Sequence, residues 1–280
     1  MAISKRQKLE SVRAQLENER STFIPHYRDL NDFILPRRGR FFLADVNRGD
    51  RRNTKIIDST ATMASRTLRS GMMSGITSPA RPWFHLTTPD PDLADFSAVK
   101  QWLHLVDQRM SAVFLKSNIY QKLPMVYGDL GTFATAALLL EPDRDDVIRC
   151  QSFPVGSYCI GTDFKGRVNT FTRVFRMTVQ QLVEQYGMKD GTTGRADWSM
   201  FSDYVKTAYD NGNYSTWIDV VHVILPNDEY DPKMSASKYK RFASCTYEMG
   251  KGYSVGGGEK YLREKGYDIF PVLAPRWEVA

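Results

Sequence analysis

Residues 55–86, KIIDSTATMASRTLRSGMMSGITSPARPWFHL, decide how the rest of the chain is read. The spacing predicts one helix, a sharp stop and one strand. Ile56 and Ile57 lead in, and Asp58 or Ser59 can cap the first turn. Ala61, Ala64, Ser65, Leu68, Gly71, Met72 and Gly75 then recur at helical spacing, and most are small. A small-residue face lets another backbone approach closely, so this helix is expected to sit deep in a packed assembly. Each interior glycine costs about 1 kcal/mol against alanine. Close packing is the expected compensation, and Gly75 can serve as the C-terminal cap. Pro79 and Pro82 forbid continuation, and Trp83 to Thr87 reads as a short strand.

Upstream lies a basic loop. Between residues 37 and 55 stand Arg37, Arg38, Arg40, Arg48, Arg51, Arg52 and Lys55 against Asp45 and Asp50 alone. Seven cations against two carboxylates leave a local +5, nearly the whole of the chain's +6. Such a cluster can meet phosphates along a duplex without base readout, or acidic residues of a protein partner or neighbouring subunit. Phe41 and Phe42 could stack on unpaired bases. Charge does not choose between these partners.

Before that loop, residues 4–19 read as a charged helix with a thin seam at Leu9, Val12 and Leu16. Ser21 or Thr22 is expected to cap a second helix, with Phe23, Tyr27, Leu30 and Ile34 on one face and Pro25 in its first turn. After residue 96, Ser97 is expected to cap a helix through Val113. Asn118 is expected to cap another, which Pro124 should bend or delay. The chain then turns β-rich. Residues 134–140 and 147–153 are strand candidates, and residues 157–178 read as a hairpin turning at Asp163 to Gly166. Thr178 opens a helix that Gly187 stops, and a further helix lies near Phe201 to Tyr209. Two longer strands, 216–225 and 239–249, precede a Gly-rich connection at 250–258. The last segment, YDIFPVLAPRWEVA, has strand character. An apolar strand at the terminus implies a partner strand supplied elsewhere, and so a natural protein that continues past Ala280.

The fold class is therefore α+β: N-terminal amphipathic helices followed by a β-rich mixed region. The expected division is a helical arm at 1–36, the basic loop with a helical region at 37–133, and a β-rich region at 134–280.

The chemistry-bearing patterns are thin. Glu141, Asp143, Asp145 and Asp146 could hold a hard cation, but a solvated turn explains them and no His lies near. No G-x-x-x-x-G-K-[ST] occurs, and no G-x-G-x-x-G opens a helix at the Gly-rich loop. His26, His85, His104 and His222 are scattered; a Ser/His/Asp set could assemble only in space, and there is no G-x-S-x-G elbow. The three cysteines form no C-x-x-C pair and read as buried thiols in a reducing cytoplasm. The N-terminus MAISKRQKLE has no apolar signal core, and no apolar run is long enough to span a bilayer. No metal, cofactor or catalytic set is assigned. The readings left open are a structural subunit, a metal-dependent DNA-processing enzyme using the acidic loop, and a non-enzymatic basic DNA-binding module.

Five stretches carry a resemblance. They are PRRGRF (36–41), DSTATMASRTLRSGMMSGITSPARPWF (58–84), KSNIYQKLPMVYGDLGTFATAALLLEPD (116–143), PVGSYCIGTDFKGRVNTFTRVFRMTVQQLVEQYG (154–187) and FPVLAPRWEV (270–279). In this order they resemble the head-to-tail connector (portal) proteins of short-tailed, podovirus-type bacteriophages. The resemblance implies a wing-like portion of a structural, non-enzymatic subunit, without cofactor. It implies a homo-oligomeric ring, typically a dodecamer, at one capsid vertex, through whose channel double-stranded DNA is packaged and ejected. The implied partners are the terminase motor and the capsid and tail adaptor proteins, with no membrane. The implied location is the virion, and the host cytoplasm during assembly. Portals are longer than this chain, so channel-lining elements are expected beyond it. Arg37, Arg38, Arg40, Arg48, Arg51, Arg52 and Lys55 are the expected DNA or capsid contacts. Ala61, Ser65, Leu68, Gly71 and Gly75 are the expected subunit-packing positions.

Overall fold

Each helix boundary is set by a few local groups. We follow them through a computed structural model that describes residues 4–41, 51–187, 196–250 and 259–277. Helix α1 (Lys5–Ser21) begins at a capping box: the Ser4 hydroxyl accepts from the Gln7 N–H, and the Gln7 side chain accepts from the Ser4 N–H. Helix α2 (Ile24–Phe33) follows without the expected cap. Ser21 and Thr22 instead donate back to the Asn18 and Glu19 carbonyls and finish α1. Nor is its expected face the buried one: Phe23 is exposed, and the buried residue of α2 is Asn31.

Next come α3 (Thr60–Gly75), α4 (Pro91–Asp95), α5 (Ser97–Lys116) and α6 (Ile119–Phe133). Residues 83–87 form no strand. Their polar groups are taken by side chains: the Leu86 N–H donates to Asp107 at 3.1 Å, and the Trp83 indole N–H to the Tyr120 hydroxyl at 3.0 Å. Ser97 is the first residue of α5 rather than its cap. Asn118 stands at the start of α6, yet its side chain does not cap it. It pairs both ways with the backbone of Cys150, at 2.8 and 2.9 Å. Pro124 lies inside α6.

The β-rich part runs β1 (Ala137–Asp143), β2 (Val147–Phe153), β3 (Tyr158–Thr162) and β4 (Val168–Thr178). It continues through α7 (Val179–Tyr186), α8 (Asp203–Asp210), β5 (Trp217–Pro226), β6 (Phe242–Glu248), β7 (Arg263–Tyr267) and β8 (Val272–Leu273). The class is mixed α+β, and the sheets are antiparallel. Helix α7 opens on a second capping box, Thr178 with Gln181. Among the described residues no helix is long and apolar enough to cross a membrane.

The chain divides into two compact units. The first gathers residues 1–28, 40–48 and 156–270; the second gathers 29–39, 49–155 and 271–280.

In the first unit, β3-β4-β5-β6-β7 form one sheet. Because side chains alternate along β5, its residues line both faces, and both are covered. Val220 packs with Val179, Leu182 and Val205 of α7 and α8. Val221, Val223 and Leu225 pack with Leu9 of α1, Cys245 and Tyr247. Arg6 of α1 lies over the Tyr247 ring, its guanidinium carbon 3.5 Å from the ring centroid. Arg20, in the last turn of α1, donates to the Gly156 and Tyr158 carbonyls at 2.6 and 2.9 Å. Gly156 has φ +93°, and a Cβ there would lie 2.2 Å from the Arg40 carbonyl oxygen. Only glycine admits that close crossing.

In the second unit, β2-β1-β8 form a small sheet. The terminal strand finds its partner inside the chain: Leu273 pairs with Leu138 and Val272 with Leu139. The Trp277 N–H then donates to the Ala134 carbonyl at 2.9 Å. This corrects the expectation that another molecule must supply that partner. Ile119, Val126, Ala136, Leu138 and Cys150 form the core between α6 and the sheet.

Candidate functional site

Arg38, at the start of the basic segment, and the small-residue helix both lie against α6 in the second unit. Their geometry separates residues used inside the chain from residues left outside it.

At the start of the segment, Asn31 is buried at the end of α2 and accepts the Gly39 N–H at 2.7 Å. Arg38 then reaches Asp129 of α6 with a two-pronged contact: Nε to Oδ1 at 2.7 Å and Nη2 to Oδ2 at 2.6 Å. A guanidinium fork and a carboxylate match in this geometry, which gives direction as well as strength. Asp129 is 1% exposed. Burial raises its carboxyl above the ordinary range, and the hydrogen bonds and charge of Arg38 oppose that rise. Arg38 is thus the partner of a buried acid. At the other end, Lys55 Nζ lies 2.8 Å from Asp32, whose hydrogen bond raises the Lys55 amine. So both ends of the basic segment are tied to the last turn of α2, through Asn31 and Asp32.

The remaining cations are placed differently. Arg37, Arg40 and Arg51 are exposed, and Arg51 Nε reaches the Asn53 side chain at 3.3 Å. Arg52 is half-buried. Arg48, with Phe42, lies outside the described residues.

Helix α3 meets α6 along one side only. Ser65 Oγ is 3.1 Å from Thr132 Oγ1, and the Thr62 hydroxyl donates to the Ile34 carbonyl at 3.0 Å. Below the helix, the Thr77 hydroxyl and the Tyr127 phenol are 2.8 Å apart. The glycines that permit close approach belong to α6. A Cβ on Gly131 would lie 2.5 Å from Leu68, and one on Gly128 would lie 3.4 Å from Arg69. The glycines of α3 do the opposite. Among the described residues, nothing comes within 4 Å of a Cβ placed on Gly71 or Gly75. Nor is any residue of α3 buried. Of the five expected packing positions, Ser65 and Leu68 are used inside the chain, while Ala61, Gly71 and Gly75 are exposed. Gly75 ends the helix, but with no left-handed backbone, since the cap is Ile76 at φ −98°.

Other chemistries meet specific obstacles. The Asp143 carboxylate accepts the Asp145 and Asp146 N–H groups at 2.8 and 3.1 Å, so it closes the turn, and those bonds lower its pKa. The fold does bring one Ser/His pair together: His222 Nε2 is 2.9 Å from Ser244 Oγ. Both are buried, and among the described residues His222 Nδ1 has no hydrogen-bonding partner. Burial, then Arg173, Lys265 and Arg263, hold His222 well below the ordinary histidine range. A general base needs an orienting acceptor and access to substrate, and this imidazole has neither. The three cysteines are free and buried.

Sequence reasoning passed over Asp129, Asn31, Arg6 and Arg20. Asp129 did leave a trace, as a carboxylate among Val126, Tyr127 and Gly128 on the buried side of α6. A charge on an apolar face demands a partner, and the cation 91 positions away is visible only in the fold.

Comparison with known proteins supplies the family. The pattern described as "Bacteriophage head to tail connecting protein" matches residues 6–280. The portal protein of Salmonella phage epsilon15 is 50% identical over 279 residues, covering 100% of this chain and 48% of that protein. The probable portal protein of Bordetella phage BPP-1 is 40% identical over 263 residues, covering 94% of this chain and 45% of that protein. The chain thus spans about half the length of the curated relatives it matches. With a match across nearly all of its length, this chain belongs to the bacteriophage head to tail connecting protein family.

Proposed function

We propose that this polypeptide is part of a structural portal subunit that joins phage head to tail and surrounds the path of double-stranded DNA. The observation that carries the reading is the family match over residues 6–280, together with relatives named as portal proteins. The subunit would act without catalysis or cofactor, as a ring of identical copies at a capsid vertex, in the virion and beforehand in the host cytoplasm. A dodecamer is the expected ring, with the terminase motor and the capsid and tail adaptor proteins as partners. A heterologous contact that closes by rotation uses two different faces of each subunit. The exposed cations Arg37, Arg40 and Arg51, with Arg48 and the half-buried Arg52, are the candidates for contact with DNA phosphate or with capsid protein. Arg38 and Lys55 would set the base of that segment, through Asp129 and Asp32. Ala61, Gly71 and Gly75 remain as candidate subunit contacts, and Ser65 and Leu68 seat their helix.

Native mass spectrometry and negative-stain microscopy of the complete gene product test the ring. A closed ring is the expected outcome. A stable monomer at micromolar concentration would overturn the proposal.

A further inference from the structure

Among the described residues, two faces of the second unit are uncovered, and they differ in shape and charge. The first belongs to α4 and α5. Leu103 is the buried residue of α5, whereas Trp102 and Leu105 are 62% and 52% exposed. Leu93 and Phe96, at 48% and 61% exposed, continue the bulky surface beyond the start of α5. Around them stand Asp90, Asp92 and Asp95, so residues 89–102 carry three carboxylates against one cation, Lys100.

The second face is the outer side of α3. Thr62, Ser65 and Leu68 turn inward to their contacts, so the helical period puts Met63, Thr67, Gly71 and Ser74 on the opposite side. This side is smooth and low, with Met63 54% exposed and open space above Gly71. Its charge is of one sign. Residues 59–89 contain not one carboxylate; Arg66 borders this side and Arg81 Nη2 donates to the Ser74 carbonyl at 3.1 Å, while Arg69 lies on the α6 side against Gly128.

We infer that the acidic, aromatic face of α4 and α5 docks on the basic, small-residue outer face of α3 in a second copy of this chain. Bulk meets open backbone, and carboxylates meet arginines. A second copy is the occupant because the matching halves sit on one and the same chain. Each chain uses a different face on either side, so the contact runs head to tail and repeats. Like-with-like pairing of either face would set arginine on arginine or carboxylate on carboxylate. The inference rests on the ring reading above and names the surfaces through which it would close.

Cross-linking of the 280-residue chain tests it. Phe96→Cys and Gly71→Cys each add an exposed thiol to three buried ones. A short bis-maleimide should join the mixed variants at least tenfold more efficiently than either variant alone. Equal yield from one variant alone, or no cross-linked dimer in the mixture, would overturn the inference. A second arm uses charge: Arg66→Glu should weaken self-association about tenfold in sedimentation velocity, and adding Asp92→Arg should restore it. If the complete gene product still closes into rings with Arg66→Glu and Phe96→Ser combined, these faces are not the contact and the ring reading stands. If the unaltered complete protein is monomeric, both fall.

Discussion

The five-stranded sheet of the first unit and helix α3 of the second are opposite cases. In β5, Val220, Val221, Val223 and Ile224 are all fully buried, because α7 and α8 cover one face and α1 the other. In α3, sixteen residues of good helical pattern contain none that is buried. Both segments have a periodic sequence, but among the described residues only one has both of its faces covered. Periodicity reports that a face is meant to be covered; it does not report by what.

The contrast can be broken most sharply where burial is deepest. Tyr247→Ala in β6 removes a fully buried ring that packs with Val221, Val223 and Leu9 and carries Arg6 above it. Denaturant unfolding should show a loss of about 3–5 kcal/mol. Met63→Ala, on the outer side of α3, should stay within about 0.5 kcal/mol in the isolated chain. A similar cost at both positions would erase the distinction.

Acid should separate the regions next. His222 is buried beside Arg173, Lys265 and Arg263, and its folded pKa lies below its unfolded value of about 6.5. Above that pH both states are neutral, and the residue contributes no pH dependence. Below it the unfolded chain binds a proton that the folded chain refuses. Stability should therefore fall by up to about 1.4 kcal/mol per pH unit as pH drops from about 6.5 toward the folded value. His222→Gln should flatten that slope. An unchanged slope in the variant would move the origin of the acid sensitivity elsewhere.

The smallest effect sharpens the comparison within the second unit. Gly71→Ala meets nothing within 4 Å in the chain, so it should stabilise the isolated chain by roughly 0.5–1 kcal/mol through helix propensity. Gly131→Ala drives a methyl against Leu68 and should lose that gain or reverse it. The unfolding temperature should rise for Gly71→Ala and should not rise for Gly131→Ala. If they shift alike, the inner and outer sides of α3 do not differ as described.

Much of the fold was legible because much of it is made locally. Ser4 with Gln7 and Thr178 with Gln181 each close a capping box three residues apart, and Asp163 to Gly166 turns the hairpin between β3 and β4. Where reading failed, a distant group had outbid a nearby one. Ser21 finished a helix instead of starting the next. Residues 83–87 gave up strand pairing for Asp107 and Tyr120. The terminal strand found β1 about 135 residues back along the chain. Among the site residues, the cluster of cations was plain, but its division was not. Which arginine is held by a buried acid and which is left to solvent depends on how α6 is placed.

By itself, the amino-acid order determined most of the element types, with α4 and β7 missed and residues 83–87 misread as a strand, and the location of the excess positive charge. Those depend on contacts a few residues apart, and the chain makes them wherever it is. Only the tertiary structure decided that Arg38 serves Asp129, that His222 stays neutral, and that the outer side of α3 stays bare. Each of these depends on burial and on partners tens of residues distant. Burial belongs to the packed chain, and no short stretch of sequence possesses it.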